Sequence, residues 1–239
     1  MRNSSTFGSA FLILFLWLRV FLGNFAVDYT NIQSLSMSDI KNLLFDLGGV
    51  IMDIDRMRCV RSFERLGMRN AVDYLGDYGQ KGPFLLVEEG KISVEEFRAE
   101  MRSHIPHAVS DAQIDEAFNA FITRIPRHRL ETLRRLRADG RKLYVISNTN
   151  PVMWHGRIAE EFAQEGLTVY DYFDGVVTSF ETGCCKPERA IFDRVVNECG
   201  IDPSRTVFFD DSEANCRKGE ELGFKAVHVR PGTEFADFI

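Results

Sequence analysis

Over the second half of the chain, apolar positions alternate between helix-spaced stripes and short runs of strand length. Leu130, Leu133 and Leu136 mark one helical face over residues 130–137, and Asp139-Gly140 closes it. Residues 142–146 (Lys-Leu-Tyr-Val-Ile) read as a strand, and residues 174–178 as a shorter one. Residues 187–199 read as a helix, with Pro187 near its first turn and Gly200 after its end; Ile191, Phe192, Val195 and Val196 form the apolar face. A strand over 206–209, a helix over 212–222 stopped by Gly223, and a last strand over 226–229 complete the series. Such alternation predicts an α/β fold, a doubly wound parallel sheet covered by helices on both faces. An earlier apolar run, Leu43-Leu44-Phe45, supplies the first strand and empties into Asp46, with Gly48 and Gly49 unable to continue it.

Residues 56–127 break this rhythm. They carry helix signals and no convincing strand. Ser93-x-x-Glu96 and Ser110-x-x-Gln113 are capping-box patterns. Phe97 and Met101 follow the first at helical spacing, and Ile114, Phe118 and Phe121 follow the second. The segment is expected to be an all-helical cap inserted into a core made of residues 37–55 and 128–239, with hinges at 53–56 and 125–128.

The first 36 residues differ again, with two apolar stretches around Arg19. Arg19 is a costly residue for a membrane span, and Gly23-Asn24-Phe25-Ala26 is a poor cleavage site for a signal peptide. Met37-Ser38-Asp39-Ile40-Lys41 runs straight into the first strand, so an internal start at Met37 is the preferred reading. An anchor or an export signal is the alternative. The expected location is therefore cytoplasmic, with a membrane as partner only if residues 1–36 belong to the protein.

The formal charge of −6 and the lack of an Arg or Lys run exclude a nucleic-acid surface. Five cysteines without a CxxC pair read as free thiols of a reducing compartment, neither a disulfide framework nor a zinc site. Cys184 and Cys185 stand beside Lys186 but are expected only to pack.

Four segments should meet where the strands end, the usual ligand site of an open parallel sheet. They are Asp46, Ser147-Asn148-Thr149-Asn150, Lys186-Pro187 at the start of a helix, and Asp210-Asp211. Phosphoryl transfer asks for such a set: a carboxylate to attack phosphorus, oxygen ligands for Mg²⁺, and a hydroxyl, N–H groups and a lysine for the phosphoryl oxygens. Taken singly, each segment also reads as a turn or a helix cap.

Together they resemble the four motifs of the haloacid dehalogenase superfamily, over residues 40–230. Within it, Phe45-Asp46-Leu47-Gly48, Asp53-Ile54-Asp55, Ser147 to Asn150, Lys186-Pro187-Glu188 and Phe208 to Asp211 are similar to the alpha-glucose-1-phosphatase-like bacterial phosphatases. Glu89-Gly90-Lys91-Ile92-Ser93 resembles their lid loop. The resemblance implies Asp46 as nucleophile and metal ligand, and the Gly48 carbonyl as a second metal contact. It also implies Ser147 and Asn148 as phosphoryl-binding residues and Lys186 as the neutralising cation. Asp211 would be the leading acidic metal ligand, with Asp210 beside it and Asn215 in support. Mg²⁺ is the implied cofactor, with Mn²⁺ or Co²⁺ as substitutes.

The chain departs from most phosphatases of the superfamily at Gly48, where they carry a second Asp as general acid and base. The glucose-1-phosphatase-like branch shares this glycine. A sugar's anomeric hydroxyl leaves with less need of protonation, so a hexose 1-phosphate is the substrate the departure favours. Asp53 and Asp55 are alternative proton carriers, expected to be structural, as are Trp154 and His155. Lys91 and Arg56 are candidates for touching substrate. The expected activity is Mg²⁺-dependent hydrolysis of a small phosphorylated metabolite through an aspartyl-phosphate, by a monomer or weak dimer. A metal-independent 2-haloacid dehalogenase and a non-catalytic regulatory protein of the same fold are the alternatives.

Overall fold

The computed structural model describes residues 40–76 and 79–239. The readings for residues 1–36, and the start at Met37, lie outside the described residues. Strand β1 (Asn42–Phe45) is followed by the short β2 (Asp53–Ile54). Four longer helices then form the cap: α1 (Arg56–Arg65), α2 (Gly82–Glu88), α3 (Val94–Ser103) and α4 (Asp111–Asn119). The chain returns through β3 (Ile122–Arg124) and α5 (Arg127–Ala138) to β4 (Lys142–Ser147). Then come β5 (Gly175–Thr178), α6 (Arg189–Cys199), β6 (Thr206–Asp210), α7 (Glu213–Glu221) and β7 (Lys225–His228).

The main sheet has the order β5-β4-β1-β6-β7, and every pairing in it is parallel. Leu43, Leu44 and Phe45 are all buried because helices cover both faces, which removes the polar alternation of a one-sided sheet. On one face Leu44, Ile146 and Phe208 pack with Ile191, Phe192 and Val195 of α6. On the other, Phe45 stacks on Phe209 at 5.0 Å and meets Phe235 edge-on. Phe45 is level with Val145 on one side and Phe209 on the other, so β1, β4 and β6 end together. The amide of Asp46 continues the ladder by donating to the Phe209 carbonyl at 2.9 Å.

The cap has its own aromatic core, with Phe84 meeting Phe63, Phe97 and Phe118 at 5.4, 5.2 and 5.2 Å. Both capping boxes form. At Ser93 the backbone N–H donates to Glu96 at 2.8 Å, and the hydroxyl accepts from the Glu96 N–H at 3.1 Å.

Three local features differ from the sequence reading. Residues 122–124, read as part of a purely helical insertion, form a strand that pairs antiparallel with β2. A ribbon of two and three residues is too short to show a period. Residues 151–172, for which no element was expected, contain short helical pieces broken at Gly156, whose φ of −100° and ψ of −109° no helix allows. Lys186-Pro187 lies in a turn rather than opening a helix, and α6 begins only at Arg189.

Candidate active site

Asp46 is the first residue past β1, and the chain turns back at once. The Leu47 carbonyl accepts from the amides of Ile51 and Met52 at 2.9 and 2.7 Å, and Gly49 N–H donates to the Met52 carbonyl at 2.8 Å. Gly49 has φ +70°, and a Cβ there would collide with the Asp211 carboxylate. Both facts require glycine at this position. The tight turn thus lets the loop after β1 close directly on the loop after β6.

Lys186 binds these loops together electrostatically. Its ammonium lies 2.9 Å from Asp46 Oδ1 and 2.7 Å from Asp210 Oδ2, with its side chain only 1% exposed. Asn148, just past β4, holds the lysine's backbone. Its Oδ1 accepts from Lys186 N–H at 2.7 Å and its Nδ2 donates to the Lys186 carbonyl at 3.0 Å. Both ends of the Asn148 side-chain amide are therefore engaged in positioning Lys186. Ser147, the last residue of β4, is buried beside it.

The two acids after Phe209 do different things. Asp210 is wholly buried and committed: beyond Lys186, its Oδ1 accepts from Ser212 N–H at 2.8 Å and Asn215 Nδ2 at 3.0 Å. Asp211 is half-buried and lines the cleft. Oxygens of Asp46, Asp210 and Asp211 all lie within 4.8 Å of one another. Burial pushes the Asp46 carboxyl up to about 8 against the pull of Lys186, and Asp210 and Asp211 add to the rise. Burial, then Asp210, lifts Asp211 to about 6. Burial works against the charge of Lys186, yet Asp210 and Asp46 hold its ammonium above the ordinary lysine range. Three crowded acids against one lysine leave negative charge unbalanced, and their hard oxygen donors suit a divalent cation such as Mg²⁺.

A cleft of about 260 Å³ opens over this cluster. Asp46, Gly48, Asn148, Lys186 and Asp211 line its floor, with Cys185, whose thiol burial pushes up to about 12. The cap side is made by Gln80, Leu85, Glu88 and Phe121. Lys91 and Arg56, the cap residues expected at the substrate, are engaged elsewhere: Lys91 pairs with Glu89 at 2.8 Å, and Arg56 donates to the Leu75 carbonyl at 2.7 Å. Asp53 pairs with Arg129 at 3.0 Å, and Asp55 caps α1 through Arg58 N–H at 3.1 Å. Trp154 is buried and His155 exposed.

Glu88 and Gln80 escaped sequence reasoning. A signal existed for Glu88, which falls four residues after the core residue Phe84 and so on the buried face of α2.

Residues 40–223 match the family model of the haloacid dehalogenase-like hydrolases, and the chain belongs to that family. It is 35% identical over 196 residues to a D-ribitol-5-phosphate phosphatase of Bacteroides thetaiotaomicron, covering 82% of this chain and 95% of the relative. A haloacid dehalogenase family enzyme from the same organism, crystallised as a variant with magnesium and inorganic phosphate, superposes with a TM-score of 0.79. That match has 38% identity over 83% of this chain and 98% of the other. A hydrolase of this type from Porphyromonas gingivalis gives a TM-score of 0.77 at 32% identity, over 83% and 95% of the two chains. Family, fold and phosphatase relatives together make this chain a phosphoric monoester hydrolase.

Proposed function

We propose that the protein is a Mg²⁺-dependent phosphatase of small sugar or sugar-alcohol phosphates that works through an aspartyl-phosphate on Asp46. The buried group of Asp46, Lys186, Asp210 and Asp211 under a small cleft carries this reading. In it, Asp46 attacks phosphorus, and Lys186 holds that carboxylate in place and offsets the charge that builds on the phosphoryl oxygens. Asp46, the Gly48 carbonyl and Asp211 would hold Mg²⁺, with Asp210 fixed behind them by Ser212 and Asn215. A divalent ion held there would supply positive charge to offset that of the phosphoryl group. Ser147 serves the phosphoryl group, and Asn148 sets the height of Lys186.

The cleft, about 260 Å³, lies below the roughly 300–1,000 Å³ typical of drug-sized ligand sites, which favours a compact ester. Two substrate types fit: a hexose 1-phosphate, with its easily displaced anomeric oxygen, and a polyol phosphate like that named for the Bacteroides relative. The test is phosphate release from glucose 1-phosphate, ribitol 5-phosphate and related esters with Mg²⁺, with EDTA, and with Asp46→Asn. Turnover that needs Mg²⁺ and vanishes in Asp46→Asn is expected. Hydrolysis of 2-chloropropionate in EDTA, with no phosphate released, would establish the dehalogenase instead.

A further inference from the structure

Glu88 closes the cleft from the cap side and has no role in the chemistry described so far. It ends α2 with a side chain only 7% exposed, in the wall of the same cleft as Asp46, Lys186 and Asp211. Among the described residues, the ionisable groups that bear on it are Glu89 beside it, Cys59 of α1 and Cys185 of the core, and none is a cation. Glu89 is itself occupied by Lys91. A carboxylate in that position is poorly hydrated and has no positive partner among the described residues. Burial, and then Glu89, lifts the Glu88 carboxyl to about 8, so it keeps its proton at neutral pH. In the lining of the same cleft, Gln80 has a buried Oε1 with no hydrogen-bond partner among the described residues, an acceptor that a substrate hydroxyl would satisfy. The cap wall therefore offers a proton and an acceptor to whatever lies above the phosphate.

We propose that Glu88 is the general acid for the leaving group, supplying from the cap the proton that no side chain at Gly48 can supply. The proposal rests on the phosphatase reading above. As Asp46 Oδ bonds to phosphorus, the ester P–O bond breaks and its electron pair stays with the departing oxygen. That oxygen takes the Glu88 proton and leaves as an alcohol. Water then attacks phosphorus, its proton returns to the Glu88 carboxylate, and the Asp46–phosphorus bond breaks to release phosphate. Each group ends in its starting state, and no outside reagent is needed. A hydroxylated leaving group donates to Gln80 while it accepts from Glu88, which places a sugar or polyol on the cap side.

The test sets an ester that needs an acid against one that does not. Glu88→Gln keeps shape and polarity but carries no acidic proton. Its kcat/KM is expected to fall by about 10²–10⁴ on ribitol 5-phosphate, whose alkoxide is a poor leaving group, and by less than about tenfold on 4-nitrophenyl phosphate. Nitrophenolate departs without protonation. Equal losses on both esters, or no loss on either, would overturn the assignment. If Glu88→Gln does not fold, the wild-type pH profile decides. An alkaline limb near pH 8 for ribitol 5-phosphate alone supports Glu88, and the same limb in both esters refutes it. Asp46→Asn assayed on 4-nitrophenyl phosphate separates the two levels, since turnover surviving that change sinks the phosphatase reading whatever Glu88 does.

Discussion

Replacing Lys186 with methionine keeps the bulk of the side chain and removes the ammonium from between Asp46 and Asp210. The two ion pairs that this breaks are 2.9 and 2.7 Å long and largely buried. At an effective dielectric constant near 20, each corresponds to about 6 kcal/mol of gross attraction. Taking the ammonium out of water opposes this by several kcal/mol. What decides the outcome is that the acids stay behind, uncompensated. Removing one partner of such a buried pair costs roughly 3–5 kcal/mol, or a fall in Tm of about 6–20 °C for a chain of this size. The loss should depend on pH. Without the cation, the carboxyls of Asp46 and Asp211, already raised by burial, rise further above their unfolded values, so the folded variant binds more protons than the unfolded chain. Its stability is then greatest below the unfolded carboxylate range and falls as pH rises. In EDTA, calorimetry at pH 5, 7 and 9 should show the deficit widening with pH, and Mg²⁺ should restore part of it. A variant as stable as wild type, or a deficit indifferent to pH, would refute the account of Lys186 as the counter-charge of this cluster.

Two further outcomes test the same loops. Gly49→Ala forces a side chain into φ +70° and against Asp211, at about 1–2 kcal/mol for the backbone alone. A Tm lower by roughly 2–8 °C is expected, together with weaker Mg²⁺ binding by calorimetric titration; unchanged affinity would detach Asp211 from the metal. The carboxyls of Asp46 and Asp211, raised to about 8 and about 6, must shed protons to act as ligands. Mg²⁺ affinity should therefore drop as pH falls from 8 towards 6, and the binding enthalpy should change with the buffer's ionisation enthalpy. An enthalpy that ignores the buffer would contradict those shifts.

The floor of the cleft was legible in the sequence because each part sits at the end of a strand with a local signature. Asp46 follows an apolar run and precedes two glycines, and Asp210-Asp211 follow Val207-Phe208-Phe209. Parallel register does the rest, since strands that end level bring their next residues together. What stayed hidden depends on contacts between distant segments. The clamp of Asn148 on Lys186 joins residues 38 apart. Arg129 looks like one of many arginines on α5, yet it is buried, paired with Asp53 and bonded twice to Glu234 at 2.7 and 2.9 Å. Glu88 lies just before the loop of residues 89–93 and was not among the expected site residues. Only the packing of Phe84 and Val87 shows that it turns inward while Glu89 goes to Lys91.

The glycine at position 48 takes on a different meaning once the cap is in view. A Cβ there would meet only Ile54, at 3.6 and 3.7 Å, an ordinary contact, and its φ is not left-handed. The backbone would accept a side chain, so crowding does not explain the missing acid. Placing the acid on Glu88 does, and it ties proton transfer to the docking of the cap. Gly90, two residues beyond Glu88, has φ +62° and lies so close to the Phe180 carbonyl that any Cβ would collide with it. Phe180 follows Ser179, whose hydroxyl accepts from Thr149 N–H at 3.0 Å and donates to the Thr149 carbonyl at 2.9 Å. Thr149 in turn follows Asn148, which holds Lys186. A continuous set of contacts therefore runs from the cap loop that follows Glu88 to the lysine that holds Asp46. On that proposal, the seating of Gly90 against Phe180 ties the cap segment that follows Glu88 to the core that holds Asp46.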